Sequence, residues 1–235
     1  MGNISLILPT YNERDNIEAL IHRIFSALGD AEVIVVDDDS PDRTWQAAQA
    51  LCNRYPQLKV FRRTHERGLR SAIQAGIDQA EGMFVGWMDC DLSMPPEVFL
   101  DMARSSATAD LVVGSRYIHG GSDERSFLRR FSSRIINGLG HFLLKTRTRD
   151  LTSGFILCRH SLLDQIPLRG NYGEYCIALI FTAERAGWSV LEVPYRFDER
   201  KIGQSKTFEG LYSFLFLGAT YVRMILTLFR EKIVK

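Results

Sequence analysis

Short apolar runs alternate with segments of helical periodicity through the first half of this 235-residue chain. The runs predict β-strands at residues 4–8, 33–36, 59–61, 84–88 and 111–113. The segments between them predict helices at residues 16–28, 44–54, 69–81 and 96–104. Strands that are apolar throughout are typical of a mostly parallel sheet with helices on both faces, so the sequence predicts an α/β fold. Ligands of such sheets bind beyond the carboxyl ends of the strands.

The second half contains a basic segment and a long apolar one. Residues 116–149 hold eight Lys or Arg residues and two acidic residues, a local charge of about +6 in a chain of net charge +1. A strand at 155–158, a helix at 177–186 and a strand at 190–193 are predicted next. The apolar segment 211–229 follows, and Arg223 is its only charged residue.

Composition excludes several classes of protein. With 29 basic and 28 acidic residues, the chain lacks the basic excess of a general nucleic-acid binder, so no nucleic-acid partner is expected. Its four cysteines are scattered without a Cys-x-x-Cys pair, which disfavours a disulfide framework or a zinc site and favours a reducing compartment. The first residues lack the pattern of a secretory signal, so the cytoplasm is the expected location.

Polar residues follow the first two predicted strands. Tyr11 and Glu13 come after the first strand, where a ring and a carboxylate suit a nucleobase; a helix N-terminus capped by Asn12 explains them equally well. Three successive carboxylates, Asp37, Asp38 and Asp39, follow the second strand. Because adjacent carboxylates repel one another, we expect at least one of these three to bind a ligand.

The fourth predicted strand ends in an Asp-x-Asp pair formed by Asp89 and Asp91, with Ser93 close behind. Two carboxylates at a strand end suit Mg²⁺ or Mn²⁺ that also binds substrate phosphate oxygens. Such a pair on its own is often only a turn, but here it shares a sheet edge with two other polar strand ends. The sequence contains no Gly-x-Gly-x-x-Gly, P-loop or Gly-x-Ser-x-Gly motif, which argues against a dinucleotide site, a P-loop NTPase and a serine hydrolase.

Seven motifs in order resemble the family 2 glycosyltransferases, specifically the dolichyl- or polyprenyl-phosphate mannose synthase group. They cover about residues 3–207 and are Pro9-Thr10-Tyr11-Asn12-Glu13, Asp37-Asp38-Asp39-Ser40-Pro41-Asp42-Arg43-Thr44, Glu66-Arg67-Gly68-Leu69, Asp89-Cys90-Asp91-Leu92-Ser93, Gly114-Ser115-Arg116-Tyr117, Arg149-Asp150-Leu151-Thr152-Ser153-Gly154-Phe155 and Arg200-x-x-Gly-x-Ser-Lys206. The resemblance implies a Rossmann-like GT-A domain over residues 1–207 and a C-terminal amphipathic helix over 208–235. It also implies an inverting, metal-dependent transfer of a sugar from a nucleotide-sugar donor to a lipid phosphate.

The resemblance also implies roles for residues at matching positions. The donor would be bound by Pro9, Tyr11, Glu13, Val35, Asp37, Asp38 and Cys90. Asp89 and Asp91 would be catalytic together with Arg116, and Mg²⁺ or Mn²⁺ would be bound by Asp89, Asp91 and Ser93. The donor diphosphate or the acceptor phosphate would be bound by Arg129, Ser133, Arg200 and Lys206.

Three positions depart from the family pattern. Arg43 replaces a usual glycine, Arg70 replaces a small residue, and Ala178 stands where many relatives carry a glutamate. Glu174 lies nearby, and the sequence leaves open whether it replaces that glutamate.

The basic segment suits a phosphate acceptor. A lipid monophosphate has a second pKa near ~6, so it arrives largely deprotonated and needs no general base. It does need positive charge, because two phosphate groups must approach each other. Arginine binds phosphate with two parallel hydrogen bonds, which favours Arg116 and Arg129 as ligands. The alternative is a solvated basic surface, or one that contacts anionic lipid headgroups.

The segment 211–229 predicts an amphipathic helix at the cytoplasmic face of a membrane, because Ser213, Thr220, Arg223, Thr227 and Arg230 form one polar stripe. The alternative is a helix packed on the core of the domain or on a partner subunit. A peripheral membrane enzyme is expected, and the resemblance allows a membrane-anchoring subunit or a homo-oligomer as a further partner.

The donor and acceptor that the resemblance implies are GDP-mannose and a polyprenyl or dolichyl phosphate. The alternative is a glucosyl or other sugar transferase that uses a UDP-sugar, with polyprenyl phosphate or a saccharide hydroxyl as acceptor. The sequence supports two other functions less well. A nucleotidyltransferase should begin with a Gly-rich, Lys-containing loop, which residues 8–13 lack, and a non-catalytic subunit would bind nucleotide-sugar without turnover.

Overall fold

The structure is a computed structural model that describes residues 4–198 and 211–234. This part of the chain contains strands β1 (Ile4–Thr10), β2 (Glu32–Asp37), β3 (Leu58–Arg62), β4 (Phe84–Trp87), β5 (Leu111–Ser115), β6 (Ser122–Asp123), β7 (Ile156–Arg159), β8 (Val190–Pro194) and β9 (Arg196–Phe197). Seven strands form one sheet in the order β3-β2-β1-β4-β7-β5-β8, in which β7 alone is antiparallel to its neighbours. The short strands β6 and β9 pair with each other. The predicted mostly parallel sheet is confirmed.

The helices of the described chain are α1 (Arg14–Ala27), α2 (Thr44–Ala50), α3 (Leu69–Ile77), α4 (Val98–Ser105), α5 (Phe127–Leu144), α6 (His160–Gln165), α7 (Tyr175–Arg185) and α8 (Leu211–Val234). The ends of α2 and α3 come four residues earlier than predicted, because turns replace the last helical turn. Helix α4 begins two residues later than predicted, after the Pro95-Pro96 pair. The sequence analysis did not predict α5, α6, β6 or β9.

Apolar side chains of the sheet alternate between two cores. Leu6 and Leu8 of β1 face one core, where they pack with Ile17 and Ile24 of α1. Ile7 faces the other core, which also contains residues of α3, α6, α7 and α8. Helices therefore cover both faces of the sheet, as the near-continuous apolar strands predict.

Helix α8 packs on the domain rather than standing apart from it. Ile225 and Leu228 are fully buried in the core that α7 also enters. Near its end, the Lys232 ammonium donates to the carbonyl oxygens of Leu143 and Leu144 at 3.2 and 2.7 Å. These carbonyls belong to the last turn of α5, where a cation satisfies otherwise unpaired acceptors.

The membrane-interface role expected for 208–235 stays a prediction, and one side of α8 packs on the domain. Ile225 and Leu228 are buried, and Tyr221, Met224 and Phe229 are partly buried against the core, whereas Leu226 is 44% exposed. Arg223 and Arg230 of the polar stripe are exposed. Within the described residues, no helix is both long enough and apolar enough to cross a bilayer.

Tyr221 of α8 packs closely against Gly173, and this contact supports a first prediction. A Cβ atom at Gly173 would lie 2.1 Å from the hydroxyl oxygen of Tyr221 in α8. Gly173→Ala should therefore displace α8 and lower the free energy of unfolding by about 1–3 kcal/mol. Gly138→Ala is the matched control, because a Cβ at Gly138 in α5 meets nothing within 4 Å. Urea denaturation of both variants tests the contact, and equal stabilities would contradict it.

Candidate functional site

A cavity with a volume of about 900 Å³ lies beyond the carboxyl ends of β4 and β5. Loops after these strands and helices α5, α7 and α8 form its walls. Five of the predicted site residues line it, namely Asp89, Asp91, Arg116, Arg129 and Ser133. The tertiary structure thus brings the acidic pair after β4 and the basic segment of α5 into one cavity.

The carboxylates of Asp89 and Asp91 are partly buried at this cavity. Asp91 accepts hydrogen bonds from the backbone N–H and the hydroxyl of Ser93, which hold its carboxylate within a tight turn. The Ser93 side chain is buried and already donates to Asp91, so its predicted role as a metal ligand stays a prediction. What the structure supports for Ser93 is a role in orienting Asp91.

The negative charge at Asp89 fits a divalent cation. Burial, followed by the charges of Asp91 and Glu13, raises the pKa of Asp89 to about 7. A cation between Asp89 and Asp91 would lower the pKa of Asp89 again, because it favours the charged carboxylate. Carboxylate oxygens are also ligands that Mg²⁺ and Mn²⁺ prefer. Within residues 4–198 and 211–234, no three His, Cys, Asp or Glu side chains gather into a metal cage. Mg²⁺ is commonly held by one or two carboxylates and completed by substrate phosphates and water.

Arg116, at the end of β5, lies in a buried ion-pair network. Its guanidinium donates to both carboxylate oxygens of Asp150 at 2.7 Å and to the hydroxyl of Thr152 at 2.8 Å. The same Thr152 hydroxyl contacts Ser133 and Asn137 of α5, each at 3.0 Å. Arg116 and Ser133 therefore already have protein partners, and direct phosphate binding by either remains a prediction. The network links β5, the loop before β7 and α5 into one rigid wall.

Arg125 is a cavity residue that the sequence analysis did not single out. Its guanidinium donates to Asp123 at 2.8 and 2.6 Å and lies 4.9 Å from the ring centroid of Phe197. The positive charge of Arg125 partly opposes the rise in the pKa of Asp89, and the charge of Arg116 opposes it more strongly. The basic count of residues 116–149 included Arg125, but only the fold shows that it faces the carboxylate pair.

The residues predicted to bind the nucleoside lie at the same sheet edge but do not line the cavity. The ring centroid of Tyr11 lies 5.2 Å from the guanidinium carbon of Arg67. Glu13 is buried and accepts a hydrogen bond from Asn16 at 2.8 Å. The Cys90 thiol donates to the Pro9 carbonyl at 3.4 Å and so joins the ends of β1 and β4. Asn12 does not cap α1, since Glu13 occupies the cap position.

The three carboxylates after β2 each have a protein partner, which explains how they stay together. Asp37 accepts from the backbone N–H of Ser40 at 2.8 Å and from the Thr10 hydroxyl at 2.8 Å. Asp38 pairs with Arg63, and Asp39 pairs with Arg62. These partners offset the repulsion among the three carboxylates, so no ligand is needed to explain it. Binding of the nucleotide-sugar donor by Asp37 and Asp38 stays a prediction.

The side chain of Val35, which was predicted to bind the sugar donor, cannot reach a ligand. It is fully buried in the core with α1. Only its backbone is left to contact a ligand. Arg200 and Lys206 lie outside the described residues.

Two departures from the family pattern acquire a physical description. Arg43 adopts a left-handed conformation with φ 64° and ψ 35°, which glycine adopts without strain. Ala178 is buried within α7, and Glu174 accepts the N–H groups of Asn171 and Tyr172 at 2.9 and 3.1 Å. Glu174 thus organises the loop before α7, and a role in place of the missing glutamate stays a prediction.

Comparison with known proteins agrees with this geometry. The family model described as "Glycosyl transferase family 2" matches residues 5–167. The chain is 40% identical over 209 residues to a dolichol-phosphate mannosyltransferase of Pyrococcus furiosus, which covers 86% of this chain and 58% of that protein. It therefore spans less than two thirds of that relative.

Two further relatives are covered more fully. A polyprenol monophosphomannose synthase of Mycolicibacterium smegmatis is 37% identical over 86% of this chain and 79% of its own length. An undecaprenyl-phosphate mannosyltransferase of Micrococcus luteus is 32% identical over 87% of both.

Solved structures share the fold at low identity. Glucosyl-3-phosphoglycerate synthase of Mycobacterium tuberculosis, in complex with Mn²⁺, UDP-glucose and phosphoglyceric acid, is similar with a TM-score of 0.73 and 19% identity. The match covers 96% of this chain and 79% of that one. A complex of the same protein with Mg²⁺ and UDP gives a TM-score of 0.70 at 21% identity, over 97% of this chain and 78% of that one. The predicted GT-A fold is confirmed.

Proposed function

This chain belongs to glycosyl transferase family 2, and we propose that it transfers mannose from GDP-mannose to a polyprenyl or dolichyl phosphate. The membership confirms the resemblance that the seven motifs carry. The observation that carries the proposal is the single cavity in which Asp89 and Asp91 meet Arg116, Arg125 and Arg129. The names of the three relatives support the same substrate classes.

The cavity suits a reaction between two phosphate-bearing substrates. Asp89 and Asp91 are the residues that would hold Mg²⁺ or Mn²⁺, which would neutralise charge on the leaving nucleoside diphosphate. Arg125 and Arg129, on another part of the wall, provide positive charge for an acceptor phosphate. A monophosphate is largely deprotonated at neutral pH, so its oxygen can attack the anomeric carbon without a general base. A single displacement of this kind inverts the configuration at the anomeric carbon.

The fixed positions of the charged residues around the cavity are expected to increase the rate of transfer. The Arg116–Asp150 pair and the hydrogen bonds of Thr152 fix the position of α5 relative to the strand ends. Preorganised charges stabilise a transition state without reorganising during the reaction. In this proposal Arg116 therefore acts mainly through its positive charge and by keeping α5 in position.

A donor screen tests the proposed function. The purified chain is incubated with labelled GDP-mannose, UDP-glucose or UDP-galactose, Mn²⁺ and a short polyprenyl phosphate in detergent. We expect a labelled, mild-acid-labile lipid with GDP-mannose, and none after chelation with EDTA. Turnover with a UDP-sugar alone would replace the donor, and turnover with a saccharide acceptor alone would replace the acceptor class. Binding of donor without product on any acceptor would indicate a non-catalytic subunit.

A second prediction assigns Arg129 to the acceptor. Arg129→Ala should raise the KM for polyprenyl phosphate about 10- to 100-fold, because a charge-assisted hydrogen bond to phosphate contributes about 1.5–3 kcal/mol. Its effect on the dissociation constant of GDP in isothermal titration should be small. Arg104→Ala, on the exposed surface of α4, is the control with a similar loss of charge. An equal loss of GDP affinity would move Arg129 to the donor side.

A further inference from the structure

Tyr195, directly after β8, has a buried hydroxyl that lacks a hydrogen-bond partner. The residue is 2% exposed, and within the described residues its hydroxyl makes no hydrogen bond. Ser153 lies beside it, but the two hydroxyls do not meet in hydrogen-bond geometry. A buried hydroxyl without a partner destabilises a folded protein, and phenylalanine would fill the same space without that cost. A ligand that accepts its proton would explain the hydroxyl.

The ring of Tyr195 has a fixed position at the strand ends. It packs edge-on against Phe155, with ring centroids 5.1 Å apart, and Phe197 lies at 6.1 Å on the same basis. Its backbone N–H donates to the Ser115 carbonyl of β5 at 3.1 Å. Gly114 of β5 leaves room for the Phe155 ring, since a Cβ atom there would lie 2.8 Å from it. The hydroxyl is therefore preorganised.

This hydroxyl belongs to the cavity of the carboxylate pair. Tyr195 lines that cavity, and so does Tyr175. The two tyrosines differ, because the Tyr175 hydroxyl accepts the indole N–H of Trp87 at 2.9 Å. Burial raises the pKa of Tyr195, and the charge of Arg116 opposes the rise only in part, so the hydroxyl keeps its proton at neutral pH. Tyr195 thus offers the cavity a hydrogen-bond donor.

The part of the cavity wall near Tyr195 is neutral and lies between the acidic and the basic parts. The sheet order β4-β7-β5-β8 places the acidic pair after β4 on one side and Arg116 after β5 on the other. Because β7 between them is antiparallel to both, residues 153–154 just before it lie at the same edge. Packing on Phe155 brings the ring of Tyr195 to this neutral part.

The geometry of a single displacement places the sugar at this neutral part. The anomeric carbon must lie between the leaving diphosphate and the attacking phosphate. In the proposed function, the diphosphate lies at the carboxylate pair and the acceptor phosphate at Arg125 and Arg129. A sugar ring between these two charged groups would face Tyr195 and Ser153. Neutral hydroxyls suit the hydroxyl groups of a sugar, whereas the guanidinium groups suit phosphate.

We propose that the Tyr195 hydroxyl donates a hydrogen bond to a hydroxyl oxygen of the transferred sugar, which makes Tyr195 a specificity residue for the donor. The inference rests on the proposed function, because that function sets where the two phosphate groups lie. A site that hydrogen-bonds a substrate hydroxyl discriminates against a sugar that lacks it, since the buried donor is then left unpaired.

Tyr195→Phe tests the proposal by isothermal titration of the full chain with GDP-mannose and with GDP, both in Mn²⁺. The variant should bind GDP-mannose about 5- to 10-fold more weakly than the wild type, because one neutral hydrogen bond is lost. It should bind GDP, which has no sugar to contact, like the wild type. Unchanged binding of GDP-mannose would refute the proposal, and so would an equal loss for GDP, which would place the hydroxyl at the nucleotide.

Thermal unfolding without ligand separates this role from a structural one. Tyr195→Phe should raise the Tm by about 2–4 °C, because it removes a buried hydroxyl that has no partner. Tyr55→Phe is the matched control, since the Tyr55 hydroxyl lies outside the cavity and 2.6 Å from a ring nitrogen of His22. The control should lower the Tm and leave GDP-mannose binding unchanged. A lower Tm for Tyr195→Phe would mean a structural hydrogen bond and would overturn the proposal.

Analogues of GDP-mannose that each lack one sugar hydroxyl identify the group that Tyr195 contacts. One analogue should bind the wild type as weakly as Tyr195→Phe binds GDP-mannose, and the variant should lose nothing further with it. Independent losses with every analogue would refute the contact, as would a raised KM for polyprenyl phosphate with unchanged donor affinity. If the wild type binds UDP-glucose instead of GDP-mannose, the proposed donor is wrong, and the same comparison with UDP-glucose and UDP decides the role of Tyr195.

Discussion

Asp89→Asn should abolish most glycosyl transfer and at the same time stabilise the protein that carries no metal. Loss of one hard carboxylate ligand weakens the divalent cation site, and the stabilisation that such a cation provides is worth several kcal/mol. We therefore expect turnover to fall about 100- to 1000-fold at saturating donor and acceptor. Stability should rise because the neutral amide of this variant would no longer repel Asp91 and Glu13.

The pH dependence of unfolding separates this explanation from a general loss of structure. The pKa of Asp89 is raised from its ordinary value near 3.8 to about 7, so the folded chain binds the proton more tightly than the unfolded one. The wild type should then lose stability as the pH rises from about 4 to about 7, and Asp89→Asn should lack this contribution. Urea denaturation at several pH values measures it.

Metal binding provides a readout that does not need activity. Mn²⁺ with GDP should raise the Tm of the wild type and have little effect on the Tm of Asp89→Asn. Asp101→Asn, on the exposed surface of α4, is the matched control and should behave like the wild type in both experiments. Near-normal turnover of Asp89→Asn in Mg²⁺ or Mn²⁺ would show that the metal assignment is wrong.

Asp150→Ala should lower the free energy of unfolding by about 3–5 kcal/mol, because it leaves the guanidinium of Arg116 buried without its partner. Both side chains of this pair are almost wholly inaccessible to water. Asp150 also accepts the backbone N–H of Arg116 at 3.0 Å, so the end of β5 loses a further hydrogen bond. Chemical denaturation with guanidinium chloride measures the change.

The size of this effect depends on the uncompensated charge, which a double variant tests. Arg116→Met/Asp150→Leu should recover most of the lost stability, since apolar residues of similar volume often replace a buried ion pair at little cost. Asp101→Ala breaks an exposed pair with Arg104 and should cost no more than about 0.5 kcal/mol. A double variant as unstable as Asp150→Ala would mean that hydrogen bonds of Thr152 and α5, rather than charge, dominate this wall.

The basic segment shows why sequence reasoning identified the residues of the site but not their arrangement. Arg116 and Arg129 were predicted from charge and from a motif, and both line the cavity. Charge counting does not distinguish a guanidinium bound to Asp150 from one that faces the cavity, because the partner is 34 residues away in sequence. Arg125 was missed for the same reason, since Asp89 comes near it only after folding.

Helix α5 was missed because its apolar residues do not form a single stripe. Leu139 and Leu144 pack against the core, while Phe127 and Phe142 are exposed, so the periodicity that sequence reasoning relies on is weak. The helical segment 211–229 was recognised, and its apolar face was expected to contact a membrane, with the domain as the alternative. An apolar face has the same periodicity whether protein or lipid covers it, so only the tertiary structure shows that Ile225 and Leu228 pack on the domain.

The sequence by itself determined the α/β class, the strand ends that carry polar residues, the carboxylate pair and the family. These are local properties, since periodicity and short motifs depend on residues near one another in the chain. The tertiary structure decided which basic residues meet Asp89 and Asp91, that the side chain of Val35 is buried in the core, and that Ile225 and Leu228 of α8 pack on the domain. Those are contacts between distant segments, and they follow from how the two cores of the sheet are filled rather than from any single stretch of sequence.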